Sequence, residues 1–285
     1  MPQFDPGLST RDGLTLRLRH WPLAQTGASQ RTVLLVHGLG EHCGRYHALA
    51  LQLNAWGWQV VGYDQRGHGR SDGARGGIAH DDDLLHDLAG VIDRVRGALP
   101  GPLLLLGHSM GGLVAARFVA GDDGAGWARA VDALVLSSPA LDPGMSPAQR
   151  LLLATLGRLA PQLALGNGLK PEWISRDPQV VRDYLGDPLV HDRITPRLAR
   201  FIVGGGKAVA ARAAGWRVPT LLLYAGADRC VAPAGSERFA AAAPQALVAA
   251  KRFPALYHEI FNEPERVEVC AALSGWLAQH APTAG

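Results

Sequence analysis

The sequence predicts an α/β fold, a mostly parallel sheet covered by helices on both faces. Three observations predict it. Continuous apolar runs such as TVLLV (32–36), PLLLLG (102–107) and DALVLSS (132–138) read as strands buried on both faces. Amphipathic helical stretches alternate with these runs, which is the rhythm of βα units. At 285 residues and 47% apolar content, the chain has the length of an α/β core with an insertion and a composition far from disorder.

In order along the chain, strands are expected at 14–20, 32–36, 59–63, 103–106, 133–137, 220–224 and 249–253. Helices are expected at 46–55, 82–99, 110–120, 235–242 and 265–280. For the last, Asn262 is the expected cap, Pro264 suits the first turn and Glu265 completes a capping box. Between 140 and 217 the rhythm changes to Leu-rich helical pieces broken by Pro and Gly, with no convincing strand. This divides the chain into a first core part (1–139), a helical cap or lid (140–217) and a second core part (218–285). An ordinary set of surface helices is the alternative, but a single crossover helix would suffice between the two flanking strands.

Composition narrows the function classes. Net charge is +3, and the basic residues, all Arg except Lys170, Lys207 and Lys251, are scattered rather than striped, which argues against nucleic acid as a partner. Arg-rich, Lys-poor usage goes with GC-rich bacterial genomes. Cys43, Cys230 and Cys270 lack metal-ligand spacing and read as reduced thiols of a cytoplasmic protein. The first sixteen residues lack the pattern of a secretory signal, and no apolar run approaches the roughly 20 residues of a spanning helix.

The strongest local signal is LLLLGHSMGG (103–112), a buried strand ending in Gly107-His108-Ser109-Met110-Gly111 and running straight into a helix. This is G-x-S-x-G in its required strand–turn–helix setting, with Ser109 as nucleophile on a sharp turn where neighbouring side chains would collide. The turn places the Met110 N–H at a helix N-terminus, facing a developing oxyanion. A second donor is expected after TVLLV, in His37-Gly38-Leu39-Gly40, as the Leu39 N–H. A chance match in a chain with 35 glycines is the competing reading, and the strand and helix flanks argue against it. His37, His68 and His108 sit in backbone-shaping motifs and read as packed histidines.

This arrangement orders its triad as serine, acid, histidine. TLLLYAGADRCVAP offers Asp228 after a buried strand, and KRFPALYHEIFNEPE offers His258 in the last strand-to-helix loop. His258 would accept the Ser109 proton while Asp228 holds the imidazole tautomer. Asp142, after the preceding strand, is the rival acid.

With these residues placed, the chain resembles the monoacylglycerol lipases and related bacterial lysophospholipases of the α/β-hydrolase superfamily. The likeness rests on HGLGEHCGRY, DQRGHGRSDG, GHSMGG, AGADRCVAP and YHEIFNE, with ISRDPQVVRDYLGDPLV in the insertion, and covers nearly the whole chain. It implies cleavage of one acyl chain from glycerol or a similar alcohol, with no metal or organic cofactor. It also implies that Glu41 and Arg45 lie near the alcohol pocket; a cap or surface ion pair is the competing reading of Arg45. Some members carry a second histidine three residues after the catalytic one, where this chain has Phe261.

Independently, Leu151, Leu152, Leu153, Leu156 and Leu159 leave little of one cap helix polar. Such a helix packs on protein or meets lipid, so peripheral membrane contact stands beside core packing as a reading. A broad carboxylesterase, a lysophospholipase, thioesterase or peptidase, and a small-molecule receptor that has kept the triad are the remaining alternatives.

Overall fold

A computed structural model describes residues 6–23, 31–121 and 125–280. The start of the chain, read above for a secretory signal, lies partly outside the described residues. Two antiparallel strands, β1 (Gly7–Ser9) at the sheet edge and β2 (Thr15–Trp21) beside it, come first among the described residues. The sheet continues with β3 (Thr32–Val36), β4 (Gln59–Asp64), β5 (Leu103–His108) and β6 (Ala133–Ser137). After the insertion, which holds the short β7 (Leu165–Gly166) and β8 (Arg193–Ile194), come β9 (Thr220–Ala225) and β10 (Val248–Phe253). The eight-stranded order is β1-β2-β4-β3-β5-β6-β9-β10, in which β4, β3, β5, β6, β9 and β10 run parallel.

Both faces of the central strands are buried, which is why their sequences do not alternate. In β3, Leu34 and Val36 enter one apolar cluster while Val33 and Leu35 enter the other. The first cluster is closed by α2 (Asp83–Ala98), α3 (Met110–Ala120) and part of α7 (Pro233–Ala242); the second by α1 (His47–Ala55) and α8 (Arg266–His280). The sequence therefore located the main elements to within two residues. It missed β1, whose three residues are too few to show a period.

Two expectations are corrected. Asn262 does not cap α8: it ends a 3₁₀ turn, Ile260–Asn262, and its amide donates to Glu259 Oε2 (2.8 Å). The insertion is also not strand-free, since Leu165 pairs with Ile194 and Gly166 with Arg193. Two-residue strands carry no sequence period, so the pattern could not show them.

The segment between β6 and β9 otherwise carries α4 (Pro147–Leu159), α5 (Pro178–Gly186) and α6 (Pro196–Arg212). Each starts with a side-chain cap and a proline in its first turn: Ser146 in a full capping box with Gln149, Asp177 and Thr195. Helix α6 buries Leu198, Phe201, Ile202 and Val209. Helix α4 does the opposite with its leucines: Leu151, Leu152 and Leu159 are 71%, 57% and 79% exposed. No helix among the described residues is long and apolar enough to cross a membrane.

Candidate active site

The loops at the carboxyl ends of β3, β5, β9 and β10 converge on Ser109. Its backbone has φ 54° and ψ −121°, a region non-glycine residues avoid. The turn is held from three sides: Ser109 N–H donates to Ser137 O (3.0 Å), and Ser109 O accepts from Leu113 and Ala140. Two glycines make it sterically feasible. A Cβ on Gly107 would stand 2.5 Å from Gly111 O, and one on Gly111 would stand 2.1 Å from Val36 O and 2.3 Å from His37 O.

Those contacts are backbone and cannot rotate away. Gly111→Ala is expected to destabilise the protein by about 1–3 kcal/mol or more, read as a lowered thermal midpoint. Gly275, exposed in α8 with open space around it, is the control. Gly275→Ala should stabilise by about 0.5–1 kcal/mol through helix propensity. Equal effects at the two sites would contradict the steric account.

His258 Nε2 lies 2.8 Å from Ser109 Oγ, and its Nδ1 lies 2.7 Å from Asp228 Oδ2. Asp228 Oδ1 accepts from the Cys230 and Val231 N–H groups at 2.8 and 3.0 Å, which fixes the carboxylate plane. The His258 and Asp228 side chains are 6% and 2% exposed. Burial alone would lower the imidazole pKa, but the Asp228 carboxylate outweighs it and holds the value above the ordinary one. Asp142, the rival acid, lies elsewhere: it accepts from Gly144 N–H and from the exposed Arg238.

His37, His68 and His108 are occupied as packed groups. His37 donates from Nδ1 to Gly38 O (2.7 Å) and accepts at Nε2 from Gln65 N–H (2.9 Å). His68 donates to Arg66 O. His108 reaches Ser137 Oγ (3.0 Å), and burial lowers its pKa to about 4, so it stays neutral beside His258. Among the described residues, neither Leu39 N–H nor Met110 N–H has a hydrogen-bond partner, and both flank Ser109. Asp228, Cys230 and His258 also form a cluster of potential metal ligands, two of which are already hydrogen bonded to each other.

Glu41 and Arg45 meet beside this centre, but not as free groups. Arg45 bridges Glu41 and Glu259, and Tyr46 OH donates to Glu41. Glu259, Tyr46 and Tyr184 were not singled out in the sequence, and Cys230 was read there only as a free thiol. Glu259 had one available signal, its place directly after His258. Phe261 is 9% exposed and packs in the second apolar cluster.

Above Ser109, the inserted segment contributes Leu169, Pro171, Ile174 and Tyr184 to a cavity of about 40 Å³ that also includes Leu39 and Cys230. That is room for a few waters and far less than an acyl chain. The segment is pinned at this edge by His191 N–H, which donates to Gly40 O (2.8 Å), and by Glu259 N–H, which donates to Ile174 O (2.8 Å).

Comparison with known proteins gives concordant results. Residues 27–265 match the family described as serine aminopeptidase, S33. A monoacylglycerol lipase of Mycolicibacterium smegmatis is 36% identical over 252 residues, 87% of this chain and 88% of that protein. Phospholipase YtpA of Bacillus subtilis is 31% identical, over 87% of this chain and 95% of that one. The crystal structure of Paleococcus ferrophilus monoacylglycerol lipase superposes with a TM-score of 0.81 at 34% identity, covering 93% of this chain and 99% of that one.

Proposed function

We infer, because the chain belongs to the serine aminopeptidase S33 family of α/β hydrolases and is a carboxylic ester hydrolase, that it cleaves monoacylglycerols through Ser109, His258 and Asp228. The observation carrying the mechanism is the unbroken hydrogen-bonded line from Asp228 through the imidazole to Ser109 Oγ, with two unpartnered N–H groups flanking the serine. Nε2 takes the serine proton as Oγ attacks the ester carbonyl, and the new oxyanion sits between the Leu39 and Met110 N–H groups. The imidazolium then protonates the departing alkoxide, leaving an acyl-enzyme and a free alcohol. A water, deprotonated by the same imidazole, attacks the acyl-enzyme, and the imidazolium returns the proton to Ser109 Oγ as the acyl–oxygen bond breaks and the fatty acid leaves. The three free thiols fit a reducing, cytoplasmic setting.

Monoacylglycerol as substrate is supported by the two lipases above. The inserted segment acts in this reading as a lid that moves to admit the chain, because the cavity over Ser109 is too small as it stands. Each methylene then buried contributes up to about 0.8 kcal/mol, a few-fold in kcat/KM, until the channel is full. kcat/KM should therefore rise from acetyl to medium-chain esters, and Leu156→Ser, at a half-buried lid position, should flatten that rise. The exposed Leu151, Leu152 and Leu159 suit contact with the lipid surface where such substrates reside. Replacing all three with Ser should reduce vesicle binding while sparing a water-soluble ester.

The test is a panel of monoacylglycerols and p-nitrophenyl esters of varied chain length, with diacylglycerol, lysophospholipid and an aminoacyl p-nitroanilide. Medium-chain monoacylglycerols are expected to have the highest kcat/KM. A rate that falls at every carbon beyond acetyl would mean a short-chain esterase. Preference for lysophospholipid or for the anilide would move the substrate class accordingly.

A further inference from the structure

Glu41 and Arg45 form a buried cross-brace, and Glu41 also borders the small cavity above Ser109. Glu41 is 4% exposed, and its Oε1 accepts from Gly38 N–H and from Tyr46 OH, both at 2.6 Å. Its Oε2 accepts from Arg45 Nη1 (2.8 Å). The same Nη1 donates to Glu259 Oε1 (2.6 Å), and Nη2 donates to Glu259 Oε2 (2.9 Å). Both Nη1 hydrogens are thereby used. The guanidinium carbon lies 4.8 Å from the Tyr184 ring centroid in α5. One cation thus joins the loop after β3, the loop carrying His258 and the inserted segment.

We propose that Glu41 and Arg45 are positioning residues, holding the oxyanion loop and the histidine loop in register, and that they do not recognise the alcohol. The proposal rests on the reading of Ser109, His258 and the Leu39 N–H given above. The Gly38–Leu39 peptide is the lever. Gly38 N–H is held by Glu41, and Gly38 O accepts from His37 Nδ1. In a planar trans peptide the Leu39 N–H points opposite that carbonyl, so fixing the carbonyl aims the donor. A Cβ on Gly38 would meet Glu41 Oε1 at 2.8 Å and Ser109 Cβ at 3.2 Å, which shows how closely carboxylate, loop and nucleophile are fitted.

The brace has an electrostatic side as well. Two carboxylates and one guanidinium leave one net negative charge near the imidazole that becomes cationic during the reaction. The groups facing His258 are Asp228, Glu259 and Glu41, which favour its charged form, and His108, whose ring centroid lies 4.7 Å away. Cys230 is buried close by, its thiol pushed upward by that burial, and Arg45 acts through its two carboxylates.

Alcohol recognition and positioning predict different substrate dependence. Glu41→Gln should lower kcat about 10–100-fold on a medium-chain monoacylglycerol and on the methyl ester of the same acid, with KM changed less than about threefold. With one negative charge gone, the imidazole pKa falls, so the acid limb of the kcat profile should move to lower pH. A merely structural weakening would lower thermal stability without moving that limb. Tyr46→Phe, which removes one hydrogen bond to Glu41 and no charge, should reduce kcat a few-fold on both esters and serves if Glu41→Gln does not fold. Loss confined to the glycerol ester, or expressed mainly in KM, would overturn the proposal. Ser109→Ala run in parallel keeps the readings apart, since turnover surviving there would fault the triad and not the brace.

Discussion

Ser109→Ala is expected to lower kcat for ester hydrolysis by about four to six orders of magnitude and leave the fold intact. The hydroxyl is the only group lost, and it is the one 2.8 Å from His258 Nε2. Alanine keeps the Cβ, so the turn at φ 54° gains no new strain, and the hydrogen bonds that hold it are all backbone. What remains is catalysis by the oxyanion donors alone, about 10³–10⁴ over water. Initial rates on a p-nitrophenyl ester, with a thermal melt as folding control, check it. A folded variant within tenfold of the parent would remove Ser109 from the mechanism.

Asp228→Asn should cost about 10⁴ in kcat. The direction follows from the hydrogen bonds around the carboxylate. Oδ1 accepts from two backbone N–H groups, so an asparagine must keep its oxygen there and turn its NH₂ towards His258. Nδ1 then accepts instead of donating, the proton moves to Nε2, and the imidazole can no longer take the proton of Ser109 Oγ. Asp142→Asn, which weakens an ion pair to the exposed Arg238, should stay within a few-fold of the parent. Reversed behaviour of the two variants would exchange their roles.

The sheet was legible because its central strands are buried on both faces and so appear as unbroken apolar runs. The elbow was legible because a strained turn between strand and helix tolerates almost nothing but glycine at 107 and 111. The brace was less so. Glu41 and Arg45 drew attention only through resemblance, and Glu259 lies 214 positions from the guanidinium it pairs with, so no local pattern could join them. The cap of α8 was misassigned for a related reason. Helix α8 begins only at Arg266, so Asn262 falls in the 3₁₀ turn before it, its NH₂ donating to Glu259, a carboxylate that itself belongs to the brace. The exposure of the α4 leucines was likewise not written locally, since an apolar stripe marks a face that needs a partner without naming it.

The most direct test is labelling with a fluorophosphonate, followed by intact mass and peptide mapping of the parent, Ser109→Ala and Asp228→Asn proteins. One phosphonyl adduct per parent chain is expected, on Ser109, with none on Ser109→Ala and much slower labelling of Asp228→Asn. An adduct on any other residue of the parent, or undiminished labelling of folded Ser109→Ala, would contradict the account.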